Sequence, residues 1–404
     1  MERDPISSAT SGATPPEEDS RRPSGDGGDS KGGAGSGAAS ADLGAAAGAA
    51  ADVSAGPSTG ASAGVSTSAS GGVSTEPAIH DTAVVGGGPA GLTAALHLAW
   101  HGRKVVVIDR TTGPLFFTLE QLHNVPGMPA ATGAEIQKRL RAQAREMGAE
   151  LVRGDVVRVE GAEGDFRLVG ANGEQWRART LLLATGVARY HPTVDGDFTP
   201  CLAYAGKGTM FYCPDCEAPE VTGKDTLVIA AGTANAGAAL ALGLTPYTRR
   251  LRLLLTGDTA LSDERAAQLA AAGIPVFTGA IRRLVGGKRD LHGLELASGE
   301  VLEAEAFFVS SPSPGRTDLV RQLGVEMSAS GEHAIPRSQR GDTNVPGVWI
   351  AGDLRPITQQ VAIAMGTGSL AAVMIDQHLR RQQVREVLAA HRTTAGEAGR
   401  ADQR

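Results

Sequence analysis

Sulfur is scarce in this chain. Its 404 residues hold only three cysteines, Cys201, Cys213 and Cys216, too few for a disulfide framework. That usage fits a reducing compartment, so the chain reads as cytoplasmic. Aromatic residues are also sparse, at 4% of the sequence, which leaves the pattern of its 54 glycines as the richer signal. Positive charge is not in excess either: the net charge of −6 argues against a nucleic-acid partner and an anionic membrane surface. No basic segment followed by an apolar one opens the chain, so no signal peptide is read. One charge-free run, Thr226–Thr248, is mostly Ala and Gly and contains Asn235 and Pro246. It reads as a strand, a tight turn and a packed helix, not as a membrane span.

Residues 1–77 are Gly, Ala, Ser, Thr and Pro with no apolar period. Such a composition buries too little surface to offset chain entropy, so a disordered N-terminal tail is expected there. Residues 389–404 read as a flexible polar end. Between them, strands and helices alternate. Thr82–Val85 and Val105–Ile108 are short apolar strands flanking a helix over Ala90–Trp100, a unit that implies a parallel sheet and an α/β fold. A second such unit is expected from Thr226–Ala230, a helix over Ala236–Leu244 and a strand over Leu251–Leu255. A strand over Val348–Ile350 and a helix over Gln359–His378 close the ordered part.

The first glycine loop, Gly86-Gly87-Gly88-Pro89-Ala90-Gly91, follows a strand and opens a helix. That is the context a dinucleotide fingerprint requires. Gly86 permits the tight turn, Gly88 lets the backbone approach a pyrophosphate, and Gly91 lets helix and sheet pack closely. The helix N-terminus offers free N–H groups and a partial positive charge to that anion. Asp109 ends the next strand, where a carboxylate accepts from ribose hydroxyls.

Two of the three cysteines stand in Cys213-Pro214-Asp215-Cys216, followed by Glu217. This is the spacing of a redox dithiol. A zinc knuckle would need a second such pair, and none exists, so no metal is expected. Pro214 and Asp215 between the sulfurs suit a turn more than an inert core pair. Cys201 reads as a lone packed thiol.

With "GGGPAG", "CPDC" and "VPGVWIAGD" in this order, the chain resembles the low-molecular-weight thioredoxin reductase family over about Asp81–Leu379. The resemblance implies two doubly wound Rossmann-like domains, the FAD domain being split by an inserted NAD(P)-binding-like domain. The expected boundaries are 78–196 and 309–388 for FAD binding and 197–308 for the insertion carrying CPDC. It further implies FAD held by Gly86, Gly88, Pro89, Ala90, Gly91, Asp109, Asn124, Val156, Thr185, Gly186, Gly352, Asp353, Gln360 and Val361. The family usually has an Arg-Gln pair where this chain has Gln359-Gln360, and a Gln where Leu115 stands. By resemblance Cys216 faces the flavin, Cys213 exchanges with substrate, and Glu217 moves protons to and from the dithiol. The implied partner is a thioredoxin-like protein or a small-molecule dithiol or disulfide, acting on a homodimer.

The inserted domain departs from the family. Read in register with Ala230-Ala231-Gly232-Thr233-Ala234-Asn235, the second dinucleotide loop keeps only its middle glycine. Ala230 then stands at the tight turn and Asn235 at the close helix contact. Asp258, past the next strand, would repel a 2′-phosphate, leaving Arg282 and Arg283 as candidate phosphate contacts. The sequence therefore leaves NADPH open as electron donor. It also leaves open a dithiol oxidase that passes electrons to dioxygen, a ferredoxin-linked reductase, and a flavin-binding module without turnover.

Overall fold

The structure is a computed structural model that describes residues 77–111 and 113–401, with side chains through His391. The expected disordered tail lies outside the described residues, apart from Pro77. Strand β1 (Ile79–Val85), helix α1 (Pro89–Trp100) and strand β2 (Val105–Asp109) form the first crossover. Pro89 at the first helical position fixes φ where no N–H is missed. A short α2 (Pro114–Phe117) and a hairpin of β3 (Gln121–Leu122) and β4 (Ala131–Thr132) lead into α3 (Gly133–Glu146). Thr132 and Glu135 close a capping box at the start of α3, a device whose N-cap half is worth about 1 kcal/mol. Then come β5 (Glu150–Arg153), β6 (Val156–Ala162), β7 (Asp165–Gly170) and β8 (Gln175–Leu183).

The first sheet has the order β5-β2-β1-β8-β7-β6. β1 pairs in parallel with β2 and β8, and β6 and β7 are antiparallel additions. The chain leaves this sheet after β8 and builds a second one. It comprises β9 (Met210–Phe211), a single turn α4 (Pro214–Glu217), β10 (Thr226–Ala231), α5 (Ala234–Gly243), β11 (Leu251–Thr256), α6 (Asp263–Ala271), β12 (Val276–Thr278) and β16 (Ala306–Ser310). The sheet order is β12-β11-β10-β16-β9, all parallel. A three-stranded antiparallel sheet, β13 (Ile281–Gly286), β14 (Leu291–Leu296) and β15 (Val301–Glu303), is inserted before β16. After α7 (Asp318–Gln322), β17 (Val348–Ile350) returns to pair with β8 of the first sheet and α8 (Val361–Ala401) follows. The fold is thus α/β, with a mixed first sheet that is split in sequence and an all-parallel second sheet. Each sheet buries apolar clusters on both faces, as parallel sheets covered by helices do.

Helix α8 packs along α1 so tightly that a Cβ at Gly368 would lie 2.1 Å from the Ala90 carbonyl oxygen. Sequence reading ends this helix near His378 and expects a flexible end beyond Leu388, but the helix continues to Ala401. The reason is composition: Arg, Gln, Glu, Leu and Ala dominate after His378, all good helix formers, with no glycine until Gly396. No described helix is long and apolar enough to cross a membrane.

Candidate functional site

The glycine loop after β1 has the geometry the sequence predicts. Gly86 sits at φ +105°, and a Cβ there would meet the Ala184 carbonyl oxygen at 2.3 Å. A Cβ at Gly91 would lie 1.9 Å from the Gly86 carbonyl oxygen, so only glycine allows this closeness. Gly88 differs: a Cβ there meets no protein atom within 4 Å. Its surroundings are open in front of the α1 N-terminus, which no side chain caps. Asp109 accepts a hydrogen bond from Arg141 Nη1 on α3 at 2.8 Å. That partner is not visible in the sequence pattern. Gln137 of the same helix donates to the Gly87 carbonyl, so α3 braces the loop from behind.

The remaining flavin-site candidates lie on five segments. Val156 opens β6, two residues after Gly154, whose N–H bonds the Asp109 carbonyl at 3.2 Å. Asn124 is half-buried in the connection from β3 to β4. Thr185 and Gly186 follow β8, with Gly186 at φ +68°, and Thr185 Oγ1 donates to the Arg316 carbonyl at 2.9 Å. Gly352, at φ +69°, abuts Ala90, where a Cβ would approach that methyl to 2.9 Å. Gln360 and Val361 form the start of α8, where the Gln360 carbonyl accepts from Ala364. Leu115 packs against the core cluster of the first sheet.

Asp353 carries the clearest sign of a partner. Its Oδ1 is buried with no hydrogen-bond partner, and burial pushes its pKa up to about 6. An orphaned buried carboxylate oxygen in this place suits acceptance from a polyol hydroxyl. The loop, the open space before Gly88 and this oxygen together fit the FAD that the sequence implies. A pH test follows. The folded pKa lies above the unfolded value of 3.8, so this group's contribution to apoprotein stability is whole below about pH 3.8. It is lost as pH rises through about 6. Between pH 4 and pH 7, flavin-free protein loses roughly 2–4 °C more of its melting temperature than flavin-free Asp353→Asn. Equal losses in a thermal melt series would show that Asp353 does not titrate near 6 in the folded apoprotein.

The dithiol sits on the single turn α4. Cys213 and Cys216 are bonded to each other, with Cα atoms 5.3 Å apart. The N–H groups of Cys216 and Glu217 return to the Cys213 carbonyl at 3.1 and 2.9 Å, which folds the pair into its turn. Glu217 Oε2 accepts from the N–H groups of Tyr212 and Cys213 at 2.9 and 2.8 Å. Burial raises the Glu217 pKa, and those two N–H groups and Arg189 offset part of the rise. Glu120 Oε1 is buried without a partner, and burial next to Glu217 and Glu220 lifts its pKa to about 7. Cys213 Sγ lies 3.9 Å from the Gln359 carbonyl oxygen, just ahead of α8. This contact between the pair and that segment therefore runs through Cys213, the sulfur that the family resemblance assigns to substrate. Cys201 is buried, donates to the Pro192 carbonyl, and has its thiol pushed up to about 12, as a packed thiol should.

Sequence reading missed the groups around the pair. Arg189 Nη2 donates to Gln359 Oε1 at 3.1 Å, and its guanidinium lies 5.5 Å from the centre of the Tyr212 ring. A charge is therefore supplied beside Gln359 from the segment after β8, at the position where the family resemblance implies an arginine. His191 Nδ1 and Tyr212 Oη are 2.6 Å apart. Burial, helped by Arg189, lowers the His191 pKa to about 4, which keeps the ring neutral at pH 7. The only sequence signal was Arg-Tyr-His shortly after the glycine turn at Gly186.

The second glycine loop is not in the register read from sequence. The Gly232 N–H bonds the Thr256 carbonyl after the pair Ala231–Thr256, as the Gly86 N–H bonds the Ile108 carbonyl after Val85–Ile108. Gly232, at φ +70°, is the turn glycine, and Ala230 belongs to β10. Gly237 makes the close helix contact, with a Cβ there 2.4 Å from the Ala230 Cβ. The fingerprint is therefore Gly232-x-Ala234-x-x-Gly237, and only its middle position departs from glycine. Asn235 is exposed and accepts from the Ser262 N–H at 2.9 Å. Gly257 takes the place that Asp109 holds in the first crossover, with Asp258 next. Arg282 and Arg283 share the single carboxylate of Glu295, at 3.6 and 2.5 Å, which offsets one of their two charges within the antiparallel sheet.

Comparison with known proteins agrees with this geometry. Residues 80–368 match the pyridine nucleotide-disulphide oxidoreductase family. The F component of the alkyl hydroperoxide reductase of Xanthomonas campestris pv. phaseoli is 30% identical over 314 residues, covering 74% of this chain and 57% of that protein. The chain thus spans under two thirds of the length of that relative. It spans 99% of thioredoxin reductase from Mycolicibacterium smegmatis, at 29% identity and 76% coverage of this chain. Among solved structures, HlmI aligns at TM-score 0.70 and 27% identity over 79% of this chain and 100% of its own.

Proposed function

The chain belongs to the pyridine nucleotide-disulphide oxidoreductase family, whose cofactors are FAD and NAD(P)H, and from that membership we propose a flavoprotein that exchanges thiols and disulfides through Cys213 and Cys216. The observation that carries the reading is the pair's position. A bonded Cys-x-x-Cys turn lies against Gln359, next to the helix start that resembles the family's flavin contact. In this reading residues 78–196 and 309–388 hold FAD, and residues 197–308 carry the dithiol and the nucleotide loop. Its partners are a thioredoxin-like protein or a small dithiol or disulfide, and the protein works as a homodimer.

FAD, when bound, supplies the conversion between hydride transfer and dithiol chemistry. The protein's own residues do the rest. The α1 N-terminus and Gly88 receive the pyrophosphate, and Asp353 accepts from a hydroxyl. In the reducing direction, the Cys213 thiolate attacks one sulfur of the substrate disulfide and displaces a substrate thiolate. Cys216 then attacks Cys213, releasing the second substrate thiolate and restoring the enzyme disulfide. Two protons pass to the departing thiolates. Glu217, buried and raised in pKa, is placed to hold one of them, while its Oε2 keeps the dithiol turn in shape. Glu120 lies in the same electrostatic neighbourhood and titrates near neutral pH, which suits handing that proton towards solvent. Arg189 places a positive charge near Glu217.

The register of Gly232 and Gly237 favours a pyridine nucleotide as donor over ferredoxin or dioxygen-linked turnover. An anaerobic titration of the yellow holoenzyme with NADPH, NADH and dithiothreitol tests it. Bleaching by a pyridine nucleotide supports the reading. Bleaching by dithiothreitol alone, with peroxide formed on aeration, would replace it with a dithiol oxidase. No bleaching by any of the three would leave a flavin-binding module.

A further inference from the structure

Among the described residues, one buried cation has no counter-charge. Arg355, just past the Asp353 turn, is 4% exposed. Its Nε is buried and has no hydrogen-bond partner. Its two Nη atoms make only long bonds, 3.4 and 3.3 Å, to the Gln339 carbonyl and Oε1. It forms no ion pair among the described residues, and burial, with no carboxylate to relieve it, pulls its pKa down. Proteins rarely bury a charge unpaired, because desolvation is not repaid.

Arg355 lines an open cleft of about 850 Å³ between the first turns of α8 and the loop of His333 and Gln339. Ile357, Ile363 and Leu370 give it an apolar wall, and Thr358 and Gln359 add polar groups. Its volume falls in the range of small-molecule sites, and its open mouth leaves part of a ligand in solvent. None of Gly86–Gly91, Asp109 or Asp353 lines it, so it is separate from the dinucleotide loop. It meets the dithiol at one residue: Gln359 lines the cleft, and its carbonyl oxygen is the atom 3.9 Å from Cys213 Sγ.

We infer that the cleft is a substrate subsite in which Arg355 binds the carboxylate of a small thiol or disulfide whose sulfur reacts at Cys213. The inference rests on the proposed disulfide exchange and names its substrate class. A single planar guanidinium matches a carboxylate through two parallel N–H bonds. A phosphate-selective site would gather further cations, and no other Lys or Arg lines the cleft. The apolar wall takes the carbon chain between the carboxylate and the sulfur.

The test uses the flavin-loaded enzyme and Arg355→Met. Met fills similar space without charge and removes an unpaired buried cation, so the variant should fold with an equal or higher melting temperature. Suberate, which has no sulfur, reads the anion site alone by calorimetry. It should bind the parent and lose about 10- to 100-fold in affinity in Arg355→Met. Dithionite-reduced enzyme is then reoxidised by 3,3′-dithiodipropionate or by neutral bis(2-hydroxyethyl) disulfide. The charged disulfide should lose a similar factor in the variant while the neutral one reacts unchanged. Failure of both disulfides with the parent would sink the exchange reaction, and suberate would still report on the cleft. Equal behaviour of the two disulfides, with no suberate binding, would overturn the subsite alone. Two other results also overturn it. Inorganic phosphate competing as well as suberate assigns the guanidinium to a free anion, and flavin loss in Arg355→Met assigns it to the cofactor.

Discussion

Cys213→Ser and Cys216→Ser each abolish disulfide turnover, to below about one thousandth of the parent rate, because ring closure and release both need two sulfurs. Steady-state reduction of a small disulfide checks this, and a variant that keeps full activity would make the pair structural. The two variants then differ in colour. The family resemblance places Cys216 beside the flavin, so Cys213→Ser should leave a thiolate there and give a broad long-wavelength absorbance. Cys216→Ser should not. The structure makes this comparison more than a formality, since the contact with the Gln359 segment comes from Cys213. If the absorbance appears in Cys216→Ser instead, the roles of the two sulfurs are exchanged and the rest of the mechanism stands. Glu217→Gln keeps an oxygen to accept from Tyr212 and Cys213, so the turn survives. It loses the proton, and the rate of the exchange step falls by about 10²–10⁴. An unchanged step would leave Glu120 as the proton carrier.

The sequence made the first crossover legible because three independent signals coincide there: an apolar strand, glycines at fixed offsets, and an acid ending the next strand. The second crossover was equally present and yet misread. Its Ile-Ala-Ala-Gly-Thr-Ala-Asn-Ala-Gly run is Ala or Gly at six of nine positions. Nothing local says whether Ala230 ends the strand or Gly232 begins the turn. Only the pairing of Ala231 with Thr256 decides it. The length of α8 was underestimated for a different reason, since its last turns have helix propensity without an apolar stripe to flag them. Arg189 and Arg355 were invisible in principle. One is defined by reaching Tyr212 and Gln359 across the chain, the other by having no carboxylate within reach. Neither property exists before the sheets assemble.

Gly88→Val should yield a folded, largely colourless protein, and the contrast with Gly91 explains why this is a test of cofactor placement. Both glycines belong to one loop, and colour loss alone would not separate a lost cofactor site from a lost fold. Their surroundings separate them. At Gly91 a Cβ would stand 1.9 Å from the Gly86 carbonyl oxygen, a backbone atom that cannot move aside. Gly91→Val therefore costs at or above the ~3 kcal/mol upper end of ordinary overpacking and takes the fold and the flavin together. At Gly88 a Cβ meets no protein atom within 4 Å, and the backbone, at φ −80° and ψ −174°, is open to any residue. The cost to folding is that of a poor N-cap residue, about 1 kcal/mol or less. What the valine methyls do occupy is the space through which a pyrophosphate reaches the free N–H groups of α1. The measurement pairs the flavin absorbance ratio with a thermal melt of flavin-free protein. Gly88→Val should lose most of the flavin at a nearly unchanged apoprotein melting temperature, and Gly88→Ser, a better helix cap that still adds a Cβ, should lose less flavin and gain stability. Full flavin occupancy in Gly88→Val would move the pyrophosphate away from this loop, and with it the assignment of Asp109 and Asp353.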